Sequence, residues 1–188
     1  MSRVIIVHGW GGSPETDFLP WVKQELEKKG YEVIAPAMPD TEHPKIETWV
    51  PHLKEVVGEV RPDDILIGHS MGCQTILRYL EGLQEGQKVE KIILVAGFIE
   101  LMGLEPNELE IRDAWLNTPL NFEKVKSHAN KFIAIFSDND PVVPLEVNRK
   151  VFEEKLKAEI FIEQGKGHFN DMPQERPDLL KFFKVAGD

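Results

Sequence analysis

The chain of 188 residues carries a single cysteine, Cys73, which excludes an internal disulfide and fits a reducing compartment. It also lacks any apolar tract near the ~20 residues a membrane-spanning helix requires. Met1-Ser2-Arg3 leads straight into an apolar run without a signal-peptide pattern, so the expected location is the cytosol. Positive charge is in deficit, with 22 Lys and Arg against 32 Asp and Glu and a net charge of −10. That balance disfavours nucleic acid and acidic substrates, both of which call for basic patches. The six histidines, at 8, 43, 52, 69, 128 and 168, show neither His-Glu-x-x-His nor paired Cys/His spacing, so no metal is expected. Gly-x-Gly-x-x-Gly and Gly-Lys-Ser/Thr endings are missing as well, and no nucleotide or other cofactor is expected. No Gly-, Ser- or Pro-rich linker and no internal repeat interrupts the chain, which predicts one compact domain over residues 1–188.

What the sequence does contain is an alternation of apolar runs with helical patterns. Runs at about 3–7, 32–35, 64–68, 92–96, 132–136 and 159–162 are each separated by enough residues for a crossover helix, which predicts a mostly parallel sheet of about six strands. Ile92-Ile93-Leu94-Val95 is apolar throughout rather than alternating, as expected for a strand covered by helices on both faces. Ser13-Pro14-Glu15 reads as an N-cap, a first-turn proline and a dipole-matching acid. Phe18, Trp21, Val22 and Leu26 then line one helix face, with Gly30 as the stop. Further helices are predicted at about 46–60, 71–83, 145–157 and 174–184. The longer connection from Phe98 to Asn130 is rich in apolar residues but too short for a cap domain. It predicts short helices over a pocket, a minimal lid, with Trp115 as a candidate wall of an acyl-binding pocket.

The tract Ile65-Leu66-Ile67-Gly68-His69-Ser70-Met71-Gly72 joins a strand pattern to a helical one (Thr75, Ile76, Tyr79, Leu80, Leu83) through Gly-x-Ser-x-Gly. This is the pattern of a nucleophile elbow, in which the serine occupies a strained turn and its neighbours two residues away must be small. A serine nucleophile needs a histidine to take its proton and a third group to orient that histidine. Ser137-Asp138-Asn139-Asp140-Pro141 follows one predicted strand and Gly165-Lys166-Gly167-His168 follows another. Asp140 is the candidate acid, with Asp138 as its rival, and His168 is the candidate base. The order Ser70, Asp140, His168 is that of α/β-hydrolases rather than of the two familiar protease arrangements. For the oxyanion, the Met71 N–H is one candidate donor. The turn His8-Gly9-Trp10-Gly11-Gly12 after the first strand offers the Trp10 N–H as the second. His8 and His69 are expected to orient backbone through their side chains, and Cys73 to pack in the core.

Taken together, His8-Gly-Trp-Gly-Gly-Ser-Pro, Gly68-His-Ser-Met-Gly, Ser137-x-x-Asp140-Pro-x-Val-Pro and Gly167-His168-Phe resemble the small serine hydrolases related to retinoblastoma-binding protein 9. The resemblance implies a single-domain α/β-hydrolase fold without an elaborate lid, and a triad of Ser70, Asp140 and His168. A Leu-x-Cys-x-Glu tract is absent around Cys73, so no retinoblastoma-type partner is implied. The expected activity is hydrolysis of small carboxylic esters, amides or thioesters through an acyl-enzyme, with a small-molecule acyl compound as substrate. The rival expectation is a hydrolase-like scaffold that binds protein without catalysis.

Overall fold

A computed structural model describes residues 2–170 and 173–184. Six strands, β1 (Arg3–Val7), β2 (Glu32–Ile34), β3 (Ile65–His69), β4 (Val89–Val95), β5 (Ala129–Ser137) and β6 (Glu159–Glu163), form one sheet in the order β2-β1-β3-β4-β5-β6. Every neighbouring pair is parallel, so the expectation of a mostly parallel sheet becomes an entirely parallel one. Six helices connect them: α1 (Leu19–Lys28), α2 (Ile46–Val57), α3 (Met71–Glu81), α4 (Leu109–Leu116), α5 (Phe122–Ser127) and α6 (Leu145–Leu156).

The chain leaves β1 in one direction to form β2 and then reverses to form β3 on the other side of β1. Because parallel crossovers are right-handed, that reversal places α1 on one face and α2, α3 and α6 on the other. It also opens a crevice at the carboxyl ends of β1 and β3, where ligands of such sheets bind. Helix α3 lies over the middle of the sheet and is buried from Met71 to Leu80. The apolar sides of β1, β3, β4 and β5 join Trp49, Trp115, Phe98, Phe136 and Phe152 in one core, each large side chain adding roughly 1.5–3 kcal/mol of burial.

The amino ends of the strands are tied by ions. Arg3 Nε and a terminal nitrogen donate to the two oxygens of Asp64, at 2.9 and 2.7 Å, and the rest of the guanidinium donates to the Val57 and Glu59 carbonyls. Asp64 also accepts the Arg61 N–H. The pair is buried with its donors and acceptors used, the arrangement in which a buried ion pair is tolerated. The hydrogen bond to Asp64 raises the Arg3 pKa against the opposing effect of burial.

Two helix boundaries differ from expectation. Ser13 does not cap α1. Its hydroxyl accepts the Glu15 N–H in a tight turn, and Asp17 at φ 55° breaks any helix before Leu19. Pro20 rather than Pro14 is the first-turn proline. Residues 174–184 form no α-helix, only 3-10 turns at Pro173–Glu175 and Leu180–Phe182, because Pro177 removes an N–H and restrains the residue before it. Those turns still cover the sheet, with Phe182 edge-on to Phe161 at 4.8 Å and Phe183 edge-on to Tyr31 at 5.4 Å.

Candidate active site

Ser70 follows β3 directly and adopts φ 50°, ψ −117°, a conformation costing a non-glycine residue on the order of 1–3 kcal/mol. Its N–H donates to the Val95 carbonyl at 2.9 Å, and its own carbonyl accepts from the Cys73 N–H at 2.9 Å. The backbone is therefore gripped on both sides of the turn. The flanking glycines are sterically required: a Cβ on Gly68 would lie 2.7 Å from the Cys73 nitrogen, and one on Gly72 would collide with the Val7 carbonyl. Cys73 is fully buried with its thiol on the Val95 carbonyl, and burial pushes its pKa up, which suits packing rather than reaction.

The loop after β1 is arranged around one imidazole. His8 Nε2 accepts the Met38 N–H at 3.0 Å, so Nδ1 carries the proton and donates to the Gly9 carbonyl at 2.8 Å. The Gly12 N–H adds a second bond to that carbonyl. Since C=O and N–H of a trans peptide point in opposite directions, fixing the Gly9 carbonyl aims the Trp10 N–H the other way. Among the described residues that N–H has no protein acceptor. Met71 is the first residue of α3, where an N–H has no partner within the helix. Burial lowers the His8 pKa, so the ring is kept neutral in this role.

The loops after β5 and β6 are stitched together. His168 Nδ1 donates to Asp140 Oδ2 at 2.8 Å, while Asp140 Oδ1 accepts the Val142 and Val143 N–H groups at 2.8 and 2.9 Å. Asp138 instead accepts the Gly165 N–H at 2.8 Å, and Asn139 accepts that of Gly167. The rival acid therefore anchors the histidine's loop and does not touch the histidine.

Ser70, Met71, Trp10 and His168 share one cleft of ≈ 350 Å³, walled further by Gly11, Glu42, Phe98, Leu101, Leu104, Glu108 and Val142. Ser70 and His168 face this space without a direct hydrogen bond to each other, a spacing common before substrate draws such groups together. A larger cavity of ≈ 410 Å³ around Gly86 and His128 lies at the opposite end of the strands, away from the serine. Two expected site residues lie outside the lining: Asp140 is buried behind His168, which it touches, whereas Trp115 meets neither the cleft nor the histidine. It is fully buried, donates its indole N–H to the Pro44 carbonyl and packs edge-on to Trp49 at 6.2 Å. Phe98, Leu101 and Leu104 take the place foreseen for it. Glu42, Glu108 and Val142 carried no recognisable pattern, and their placement follows only from the paths of the loops.

Residues 4–174 match the model of a family described as serine hydrolase. YdeN of Bacillus subtilis (strain 168) is 29% identical over 168 residues, covering 89% of this chain and 86% of that protein. The crystal structure of the B. subtilis ydeN product superposes with a TM-score of 0.83 at 27% identity, over 93% of this chain and 94% of that one. Est1E from Butyrivibrio proteoclasticus, solved with ferulic acid bound, superposes at 0.74 with 18% identity, over 93% and 84% of the two chains. No helix among the described residues is long and apolar enough to cross a membrane.

Proposed function

From the premise that the chain belongs to the serine hydrolase family, we propose that it hydrolyses small carboxylic esters through an acyl-enzyme on Ser70. The observation that carries this reading is the 2.8 Å contact between His168 Nδ1 and Asp140, at the edge of a cleft that also holds a serine in a strained elbow. Asp140 keeps the proton on Nδ1, which leaves Nε2 of His168 free to accept one.

Ser70 Oγ attacks the carbonyl carbon as its proton passes to His168 Nε2, and the carbonyl oxygen becomes an oxyanion held by the Trp10 and Met71 N–H groups. Collapse breaks the carbon–oxygen bond to the alcohol, which leaves with the proton from His168. Water then attacks the acyl-enzyme, gives its proton to the same nitrogen, and the acid departs as Ser70 regains its hydrogen. The Phe98, Leu101 and Leu104 wall suits an apolar acyl group. Glu42 and Glu108, with no lysine or arginine in the lining, disfavour an anionic one. The ferulic acid bound by Est1E makes aromatic acyl esters a natural part of a substrate panel. Membership of the branch related to retinoblastoma-binding protein 9 and a cytoplasmic location belong to the same reading.

The test is labelling with a fluorophosphonate, with the adduct located by mass spectrometry. A single adduct on Ser70, lost in Ser70→Ala and in His168→Ala, is the expected result. No adduct on folded wild-type protein would overturn the reading and favour a non-catalytic scaffold.

A further inference from the structure

The mechanism above leaves two ionisable side chains beside His168 without a task, one buried and one half-buried. His69 is 2% exposed, and its Nε2 donates to the main-chain carbonyl of His168 at 2.9 Å. On the other side of the ring, Asp17 Oδ2 lies 3.3 Å from Nδ1, within reach of an ion pair but off the line of a hydrogen bond. Phe18 packs edge-on against the same imidazole at 5.3 Å, and the His168 ring lies 5.1 Å away. Asp17 reaches this position only because its backbone adopts φ 55°, an uncommon state for a residue other than glycine.

We propose that Asp17 and His69 form a second carboxylate–imidazole pair, which positions His168 from its backbone side as Asp140 orients it from its ring side. His69 precedes Ser70 in the chain and holds the main chain of His168. One side chain therefore sets the distance between the elbow and the loop of the base. The loop needs such a hold, because Gly167 and Phe169, on either side of His168, have φ of 53° and 55°. The ionisable groups facing His69 are Asp17, His8 and His168, with Asp140 beyond the last. Burial would raise the Asp17 carboxyl, but the contact with His69, and weaker charge attraction to His168 and His8, together hold it below the ordinary Asp value. Asp17 and His69 are positioning residues: neither lines the cleft.

This inference rests on the proposed role of His168, so its test includes a readout that needs no turnover. The downfield proton NMR signal of the His168 Nδ1–H reports whether the ring is still held on Asp140. His69→Phe keeps the ring against Phe18 and removes both nitrogens. It should lower kcat by about 10- to 100-fold with KM within threefold, the scale expected for a misplaced group, and should broaden or abolish that signal. His69→Gln retains a donor near the position of Nε2 and should restore most of both. Asp17→Asn, which removes a negative charge near His168, should move the acid limb of kcat/KM to lower pH with little change in the plateau. Wild-type kcat and an unchanged signal in His69→Phe would overturn the proposal. So would equal losses in His69→Phe and His69→Gln with the acid limb of Asp17→Asn unmoved, the pattern of a purely structural residue. If His69→Phe does not fold, the other two variants decide. An absence of turnover in wild type would count against the esterase reading alone, since the NMR signal still reports the pair.

Discussion

The two ends of the sheet solve opposite problems. At the amino ends of the strands, Arg3 and Asp64 meet with their hydrogen-bonding groups occupied, and positive φ in the connections entering β2, β3 and β4 falls on glycines, Gly30, Gly58 and Gly86. At the carboxyl ends, Asp17, Asp40, Ser70, Ala96 and Phe169 all have positive φ, one in each loop that follows β1, β2, β3, β4 and β6. Only Lys157, at the end of α6, shows this conformation elsewhere among the described non-glycine residues. Strain gathered at one end and satisfied contacts at the other is what a rigid platform carrying a reactive site requires.

If the ends divide labour in this way, substitutions at each should separate activity from stability. The largest effect is expected from Ser70→Gly, which removes the proposed nucleophile and relieves its backbone. Ester turnover should fall by about 10⁴-fold or more, while thermal unfolding shows a gain of about 1 kcal/mol, since glycine tolerates the elbow conformation. Next, Asp140→Asn should lower kcat by about 10²- to 10⁴-fold, against less than about tenfold for Asp138→Asn; steady-state kinetics on the same ester provide the ranking, and its reversal would exchange their roles. At the other end, Asp64→Ala leaves Arg3 buried without its partner. It should cost about 3–5 kcal/mol in denaturant unfolding, with kcat per folded molecule unchanged.

The smallest expected effect is a pH dependence at the reactive end. Burial holds His8 below its ordinary value of 6.5, so the unfolded chain takes up a proton there more readily than the folded one. The stability contributed by neutral His8 is complete above about pH 6.5 and declines as pH falls below it. Unfolding free energies measured from pH 8 to pH 5 should show this decline, and His8→Gln should remove that part of the slope.

Much of this division was legible in the residues. Apolar runs placed all six strands because a sheet covered on both faces demands continuous hydrophobicity. The elbow could be read because its geometry forbids side chains at positions 68 and 72. Asp140 and Asp138 could not be separated by pattern, since both occupy the same strand-end loop and only the fold shows which one meets His168. The last segment misled for a related reason: the apolar spacing of Leu179, Leu180 and Phe183 suits a helix, but Pro177 allows only short turns. Trp115 was misplaced because an aromatic in a lid segment serves core and pocket equally well in sequence, and its indole N–H found the Pro44 carbonyl in the core. The Asp17–His69 contact had no local signal at all, as it joins residues 52 positions apart through a turn whose shape depends on one left-handed residue.

The bond from the Met38 N–H to His8 makes the proposed oxyanion donor a tenant of the sheet's margin. Strand β2 is an outer strand of three residues, and such margins breathe more often than interior ladders do. An opening of the segment after β2 would remove the contact that fixes the His8 tautomer and leave the Gly9–Trp10 peptide held by the Gly12 N–H alone. The amide of Met38 would thus serve as a clock: its hydrogen-exchange rate would count the openings during which the proposed nucleophile, Ser70, is in place and the proposed oxyanion donor, the Trp10 N–H, is not.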